Sequence, residues 1–307
     1  MSKHEPSSPA ACGPAETPAQ DAAPARCRLS AFGITTVLHR FGTADATDGA
    51  GGTVALHGFT GNGTDFSPLA AAAGSPRLAW IAPDLPGHGK CRVDEPENGY
   101  TFEAVDALIE KALARLPPGP RRLLGYSMGG RLALHFAVRH PRAIDRLYLI
   151  GASPGIETAR AREDRHANDL LLAARIERDG IAWFAPHWEA RPIIQTQDNI
   201  RASWLEPMKT RRRCLDPAAL AHSLRGLGTG AMPSLWDRLP TLHVPTTLFV
   251  GETDTKFLDI AREMRSRCPA LSLTIVPAAG HCAHLENPKA FLDVFSACLD
   301  RRQTPDA

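Results

Sequence analysis

Short apolar runs alternate with segments of helical periodicity along most of the chain. A strand that is apolar at every position is buried on both faces, which is typical of parallel sheets covered by helices. The pattern therefore predicts a doubly wound α/β fold with a mostly parallel sheet. The predicted strands are residues 34–40 at one edge of the sheet, 53–56, 78–82, 121–124, 146–150, 245–250 and 271–276. The predicted helices are residues 100–116 with Thr101 as N-cap, one after residue 127, one near 259–267 and one from residue 288.

The alternation stops between about residues 153 and 239, where the chain is polar and helical and carries several tryptophans. Ligands of doubly wound sheets bind at the carboxyl ends of the strands, and a helical insertion between late strands covers that edge. We therefore expect residues 153–239 to form a helical cap on a core made of residues 29–152 and 240–302. Residues 1–28 are rich in Pro, Ala and Ser without a hydrophobic period and are predicted to be disordered.

The sequence Gly125-Tyr126-Ser127-Met128-Gly129 joins a predicted strand to a predicted helix. This Gly-x-Ser-x-Gly context suits a nucleophile elbow, because small residues allow the sharp turn that exposes the serine hydroxyl. Amides at the start of the following helix can stabilise an oxyanion, and Met128 supplies one. His57-Gly58-Phe59, after another strand, supplies a second through the amide of Phe59. Because the motif also occurs in ordinary turns, its partners must decide its role.

A serine that moves protons needs an imidazole and a carboxylate. In this fold type they follow the serine in the order acid, then His, at the ends of later strands. Asp254 follows the predicted strand 245–250, and His281 follows the predicted strand 271–276. We therefore predict a catalytic triad of Ser127, Asp254 and His281. Glu252 is the second choice for the acid, and Asp254 is also suited to cap the helix that follows it.

Charge patterning separates one arginine from the others. Most arginines of the predicted cap are balanced by acidic residues, as on a solvated helix face, and we expect Arg211–Arg213 to be solvated. Arg131 differs because it lies in the first turn of the helix after Ser127. A guanidinium beside a helix N-terminus favours an anionic ligand. His88, in a loop rich in glycine and proline, is expected to be structural rather than catalytic.

Composition excludes several classes of protein. The formal net charge is +2 over 307 residues, which lacks the concentrated basic face of a nucleic-acid-binding protein. No apolar run is long enough to span a bilayer, and no signal-peptide core is apparent. The seven cysteines are scattered, and His281 and His284 lack further residues at metal-ligand spacing, so we expect neither a metal nor a cofactor. We expect a cytoplasmic protein that binds a small anionic substrate, with no nucleic-acid or membrane partner. A monomer is compatible with the sequence.

Three motifs resemble those of one enzyme family. They are Gly-Tyr-Ser-Met-Gly-Gly-Arg at 125–131, Gly-Glu-Thr-Asp-Thr-Lys-Phe at 251–257 and Ala-Gly-His-Cys-Ala-His-Leu-Glu-Asn-Pro at 279–288. Residues 223–230 and the segment holding Trp188, Pro192, Thr196 and Gln197 resemble the cap of that family. From about Phe32 to the last predicted helix, the chain resembles the 2-succinyl-6-hydroxy-2,4-cyclohexadiene-1-carboxylate synthases of menaquinone biosynthesis, which are α/β-hydrolase-fold enzymes.

The resemblance implies an α/β-hydrolase fold and a lyase rather than a hydrolase. Such a lyase would eliminate pyruvate from 2-succinyl-5-enolpyruvyl-6-hydroxy-3-cyclohexene-1-carboxylate. Ser127, its proton accepted by His281 and the imidazole oriented by Asp254, would act as the general base on a C–H proton. The amides of Phe59 and Met128 would hold the negative charge that develops on the succinyl carbonyl. The residues implied to contact the substrate are Tyr126, Arg131, Arg165, Trp188 and Arg225, the arginines through carboxylates. Arg162, one helical turn from Arg165, is an alternative to it.

The residues alone, without the resemblance, describe a serine-triad enzyme whose pocket suits an anion. A hydrolase of a small anionic ester or of a carbon–carbon bond fits that description equally well. A catalytically inactive α/β-hydrolase-fold ligand receptor is disfavoured, because all three triad positions are filled. Release of pyruvate distinguishes the lyase from the hydrolase. Reaction of Ser127 with a fluorophosphonate would argue against the receptor.

Overall fold

The computed structural model describes residues 25–42, 49–72 and 79–300. All seven predicted strands form, and two further strands join them. The strands are β1 (Ala25–Ala31), β2 (Ile34–Phe41), β3 (Gly52–Leu56), β4 (Ala79–Pro83), β5 (Arg92–Val93), β6 (Arg121–Tyr126), β7 (Arg146–Ile150), β8 (Thr246–Gly251) and β9 (Ser272–Val276). The helices are α1 (Ser67–Ala72), α2 (Pro96–Gly99), α3 (Phe102–Leu113), α4 (Met128–Arg139), α5 (Ala159–Glu189), α6 (Pro192–Gln195), α7 (Ala202–Arg213), α8 (Pro217–Leu227), α9 (Thr255–Arg267), α10 (Ala283–Glu286) and α11 (Pro288–Asp300).

The edge of the sheet differs from the prediction. Residues 1–24 of the predicted disordered segment lie outside the described residues, but residues 25–28 belong to β1. β1 pairs antiparallel with β2 from Ala25 opposite Arg40 to Ala31 opposite Ile34. Consequently β2 is not an edge strand, and residues 25–28 are ordered. The prediction failed here because β1 is held by backbone hydrogen bonds on one side and is mostly exposed, so its sequence has no continuous apolar run.

The sheet is covered on both faces. Its strand order is β1-β2-β4-β3-β6-β7-β8-β9, with β5 paired to β2. The strands from β4 to β9 along this order are parallel. Leu123 and Leu149 pack in the apolar layer beneath α3 and α4, whereas Leu124 and Tyr148 pack in the opposite layer against α11. Burial of alternate side chains in two layers explains the unbroken apolar runs. The carboxyl ends of β3, β6, β8 and β9 consequently meet at one edge of the sheet.

The helices α5 to α8 are inserted between β7 and β8 and form the cap. α5 is kinked at Gly180, whose φ of 75° lies in the left-handed region that glycine favours. Ile176 and Phe184 of α5 pack with Leu220 and Leu224 of α8 in a separate apolar cluster. The cap therefore has a small core of its own above the edge of the sheet. None of the helices in the described part of the chain combines the length and apolarity needed to cross a bilayer.

Candidate active site

Ser127 lies at the sharp turn between β6 and α4. Its φ and ψ are 51° and −107°, an unfavourable conformation for a residue with a side chain. The turn is fixed by hydrogen bonds from the Ser127 amide to the Ile150 carbonyl, at 2.9 Å, and from the Gly129 amide to the His57 carbonyl, at 3.0 Å. A Cβ atom on Gly129 would collide with the backbone of Leu56, so the motif needs glycine there. The strain at Ser127 is typical of a functional serine.

The three predicted triad residues form one hydrogen-bonded chain. His281 Nε2 lies 3.0 Å from Ser127 Oγ, and His281 Nδ1 lies 2.7 Å from Asp254 Oδ2. His281 and Asp254 are both buried. Because a carboxylate only accepts, the Nδ1–H of His281 donates to Asp254, and Nε2 is left to accept from the Ser127 hydroxyl. This arrangement can withdraw the serine proton.

Asp254, rather than Glu252, is the carboxylate in contact with His281. Asp254 Oδ2 accepts from His281, and its Oδ1 accepts from the Phe257 amide at 3.5 Å, so this aspartate also caps α9. Glu252 is exposed, and its Oε2 accepts from the Ala278 amide at 2.9 Å. The two interpretations of Asp254 made from the sequence are therefore compatible.

Phe59 and Met128, whose backbone amides are the predicted oxyanion donors, both line the cavity next to Ser127. Neither amide donates to an acceptor within the described residues. Their availability matches the requirement for an oxyanion site, which needs donors that are not already used.

Two neutral histidines hold the Phe59 loop. His57 Nε2 accepts from the Leu85 amide at 2.9 Å, and His88 Nε2 accepts from the Thr60 amide at 3.0 Å. Burial lowers the pKa of His88 to about 3, so it is uncharged at neutral pH. Its Nδ1–H donates to the Pro86 carbonyl at 3.0 Å. His88 thus has the structural contacts expected from the sequence, and His57, which sequence reasoning missed, makes equivalent ones.

Ser127 opens into a cavity of about 640 Å³ between the sheet edge and the cap. Tyr126, Trp188 and Phe59 supply part of its aromatic wall. The Trp188 ring packs edge-on against Phe59, with centroids 5.2 Å apart. Its Nε1–H is buried and has no hydrogen-bond partner within the described chain. Burial raises the pKa of Tyr126, whose ring lies 5.4 Å from that of His281.

Arg131 is buried and lines this cavity. Its Nη1–H donates to the Leu227 carbonyl at 3.0 Å, and the rest of its guanidinium has no protein partner in the described segments. Burial, followed by the nearby charge of Arg165, lowers the pKa of Arg131 to about 10, so it remains protonated at neutral pH. An unpaired guanidinium that stays charged in a cavity favours an anionic ligand.

Arg165 reaches the same cavity from α5 of the cap. Its Nε–H donates to Asp169 Oδ1 at 2.8 Å, while Asp169 Oδ2 accepts from the Gly230 amide at 3.1 Å. Asp169 therefore fixes the direction of Arg165. Arg162 instead donates to the Ile156 carbonyl at 3.4 Å and does not line the cavity. Of the two candidates left open by the sequence, the structure brings Arg165 to the site.

Known proteins are similar to the chain over most of its length. Residues 54–288 match the family model described as the alpha/beta hydrolase fold. The 2-succinyl-6-hydroxy-2,4-cyclohexadiene-1-carboxylate synthase of Serratia proteamaculans (strain 568) is 33% identical over 238 residues, which cover 77% of this chain and 88% of the relative. A Bacillus subtilis (strain 168) protein, provisionally given the same name, is 36% identical over 263 residues, 85% of this chain and 94% of the relative. The chain belongs to this synthase family.

A solved structure supports the same relationship. MenH from S. aureus superposes with a TM-score of 0.79 at 29% sequence identity, covering 85% of this chain and 97% of that structure. The α/β-hydrolase fold expected from the resemblance, with its mostly parallel sheet and its cap between late strands, is confirmed.

One arginine that the family resemblance implied is not at the synthase cavity. Arg225 of α8 forms a bidentate ion pair with Glu177 of α5, with N–O distances of 2.6 and 2.5 Å. The pair lies at the cap surface, outside the lining of the cavity. The structure therefore does not bring Arg225 to the cavity that Ser127 enters, and its contact with the substrate stays a prediction.

Two cations at the synthase cavity were missed by sequence reasoning. Arg191 follows Trp188 by three residues, and its guanidinium lies 5.1 Å from the Trp188 ring centroid. Its buried Nε has no partner among the described residues. Lys256 lies two residues after Asp254, in the motif at 251–257, and also lines the cavity. The spacing of each from a predicted site residue was the available signal.

The expectation that Arg211–Arg213 are solvated holds only for Arg213. Arg212 is 3% exposed and donates to Thr60, Glu189 and Gln197. Arg211 pairs with Asp65. Successive side chains on a helix point about 100° apart, and α7 turns Arg212 inward, where it donates to Thr60 of the Phe59 loop.

Proposed function

We propose that this protein eliminates pyruvate from 2-succinyl-5-enolpyruvyl-6-hydroxy-3-cyclohexene-1-carboxylate, giving 2-succinyl-6-hydroxy-2,4-cyclohexadiene-1-carboxylate in menaquinone biosynthesis. The observation that carries the proposal is the Ser127–His281–Asp254 chain, which opens into a cavity lined by Arg131, whose guanidinium makes one hydrogen bond to the described residues. Family membership supports the same reaction. The synthase is expected to act in the cytoplasm on this small anionic substrate. Residues 153–239 are proposed as the cap. The proposed core, residues 29–152 and 240–302, also includes residues 25–28, because these belong to β1. The absence of nucleic-acid partners stays a prediction.

Ser127 acts as the general base in this proposal. Its hydroxyl proton passes to His281 Nε2, and the Asp254 carboxylate stabilises the imidazolium that forms. The serine oxygen removes the proton from the ring carbon that carries the succinyl group. The electron pair of that C–H bond moves towards the succinyl carbonyl, and the amides of Phe59 and Met128 stabilise the resulting oxyanion.

Collapse of the enolate completes the elimination. Its electron pair forms the 2,3 double bond, the former 3,4 double bond moves to position 4,5, and the C–O bond to the enolpyruvyl group breaks. The leaving group departs as the enolate of pyruvate and gains one proton at carbon, while the His281 imidazolium releases the proton that it took up, so atoms and charges balance. Arg131, Arg165, Arg191 and Lys256 are proposed to bind the substrate carboxylates, which orients the C–H bond towards Ser127.

The decisive experiment measures pyruvate release from the enolpyruvyl substrate, with Ser127→Ala as control. The wild-type protein is expected to release one pyruvate per diene formed, and the variant to release almost none. Because a base does not acylate, the mass of the protein during turnover should equal that of the free protein. A trapped acyl group on Ser127, with no pyruvate, would favour a hydrolase. If the protein showed no turnover and Ser127 were not labelled by a fluorophosphonate, a ligand receptor would be favoured.

A further inference from the structure

The carboxylate of Glu286 binds the backbone on both sides of His281. Glu286 Oε2 accepts from the Gly280 amide at 2.5 Å, and Oε1 accepts from the Cys282 amide at 2.9 Å. Glu286 is 8% exposed, so both hydrogen bonds are shielded from water. A single side chain therefore fixes the residues immediately before and after the histidine that contacts Ser127.

A residue of the cap completes this contact. The Thr196 hydroxyl donates to Glu286 Oε1 at 2.8 Å. The Thr196 side chain also lies against Gly280, where a Cβ atom would collide with it. Thr196 begins the 3-10 turn Thr196–Asn199, between α6 and α7. The cap thus orients the carboxylate that holds the His281 loop.

The chemistry of the three donors requires a carboxylate. The two carboxylate oxygens of Glu286 accept three hydrogen bonds, from the Gly280 amide, the Cys282 amide and the Thr196 hydroxyl. An ionised carboxylate accepts on both atoms, whereas an amide side chain of the same shape presents NH₂ on one of them. A glutamine at position 286 would therefore leave one of the two backbone amides facing a donor.

We propose that Glu286 is a positioning residue for His281, and that Thr196 holds its carboxylate in place. This inference rests on the proposed role of Ser127 and His281 and goes beyond it. His281 must keep Nε2 within hydrogen-bonding reach of Ser127 and Nδ1 within reach of Asp254, at 3.0 and 2.7 Å here. Misplacement of a catalytic group by about 1 Å can reduce a rate about 100-fold. Restraint on both sides of His281 prevents such a displacement.

The test compares Glu286→Gln with Glu252→Gln. Glu252 is a matched control because its carboxylate also accepts a hydrogen bond from a backbone amide of the same loop, that of Ala278. Glu252 is exposed, however, and does not bind the residues next to His281. Two kinds of kinetics are measured. The first is the second-order rate constant for labelling of Ser127 by a fluorophosphonate, and the second is kcat and KM for pyruvate release. E286Q is expected to lose about 10- to 100-fold in labelling and in kcat, with KM changed less than about twofold. E252Q should match the wild type.

Variants of Thr196 test the link to the cap. Thr196→Val keeps the shape but removes the hydroxyl, and it is expected to lower the labelling rate and kcat several-fold at an unchanged melting temperature. Thr196→Ser should restore both. Because T196V leaves Glu286 in place, it tests the proposal even if E286Q does not fold. A T196V protein that labels and turns over at the wild-type rates would contradict the proposed link.

Glu286→Asp separates position from charge. It keeps the negative charge but withdraws the oxygens by one methylene, so it should resemble E286Q. A fully active E286D, a wild-type labelling rate for E286Q, or an equal loss in E252Q would each overturn the proposal. The labelling rate does not depend on the substrate. If the wild type releases no pyruvate while labelling falls in E286Q alone, the proposed reaction is wrong and the positioning role stands.

Discussion

Arg212 of the cap donates through Nε to the hydroxyl of Thr60, at 3.2 Å, and so joins α7 to the loop that carries the Phe59 amide. Thr60 has a φ of 70°, in the left-handed region that non-glycine residues rarely adopt. The same guanidinium donates to Gln197 and Glu189 of the cap, each at 3.0 Å. The strained loop that carries Phe59 is therefore supported from the cap by a buried cation.

Replacing Arg212 by alanine is expected to destabilise the protein by roughly 1–3 kcal/mol, because buried polar groups of Thr60 and Gln197 lose their partner. It should also lower kcat, since the Phe59 amide loses support. Arg213→Ala is the control, because Arg213 is exposed and pairs with Glu189 only at 3.6 Å. Chemical denaturation gives the free energies of unfolding. Equal stabilities of the two variants would contradict the structural role of Arg212.

Ser127→Ala and His281→Ala are each expected to abolish most of the pyruvate release. The double variant should be hardly slower than either single variant, because residues that act as one proton-transfer unit are non-additive. Rates of the three variants, measured at saturating substrate, check this. Losses that multiply in the double variant would show that the two side chains act independently.

The arginines separate substrate binding from cap stability. Arg131→Ala should reduce kcat/KM by the equivalent of roughly 2–5 kcal/mol, as the loss of one partner of a buried charge pair does. Arg131→Lys should recover part of this, because a point charge replaces a bidentate fork. Arg225→Ala should have little effect, since its ion pair with Glu177 lies at the surface.

A neutral ester such as p-nitrophenyl acetate provides the control for the arginine variants. It has no carboxylate, so any turnover of it should be the same in the wild type and in R131A. Losses of similar size on both substrates would mean that Arg131 supports the fold rather than an anionic ligand.

The stability of the protein should fall in mild acid because of its buried neutral histidines. Burial lowers the pKa of His88 from 6.5 to about 3, so between these values the unfolded chain binds a proton that the folded chain does not. The contribution of His88 is therefore fully present above pH 6.5 and is lost as pH falls towards 3. Its slope approaches about 1.4 kcal/mol per pH unit. Burial lowers the pKa of His284 to about 3 as well, with the same sign.

Denaturation of His88→Gln between pH 4 and 6.5 tests this slope. The glutamine oxygen can accept from the Thr60 amide but does not titrate, so stability should depend less steeply on pH than in the wild type. His243→Gln is the control, because His243 is exposed. An unchanged slope in H88Q would mean that His88 is protonated alike in both states.

Local sequence patterns located the strands, because parallel strands have a continuous apolar signature. They also singled out Ser127, Asp254 and His281, which the structure brings together. These residues follow separate strands whose carboxyl ends meet at one edge of the sheet. The directions of the cap arginines could not be obtained in this way. Arg212 faces inward and Arg225 faces outward because of the way in which α7 and α8 pack. Polar helices have no strong apolar stripe from which the orientation of their side chains could be predicted.

Glu286 shows a second limit of local patterns. Its distance of five residues from His281 is visible in the motif at 279–288, but its role depends on the return of α10 over the loop. The contact with Thr196 depends on the cap, 90 residues away in sequence. Edge strand β1 escaped prediction for a related reason, because its partners are backbone groups of β2.

The point of insertion of the cap has an evolutionary consequence. The chain leaves the core after β7 and returns at β8, and these strands are hydrogen-bonded neighbours, with Leu147 opposite Thr246. An insertion whose ends are adjacent can be lengthened or exchanged without disturbing the sheet. A transplanted cap must nevertheless supply partners for Glu286 and Thr60. The contacts of these two core residues, rather than the two points where the cap joins the core, therefore limit which caps the core can accept when substrate preference changes in evolution.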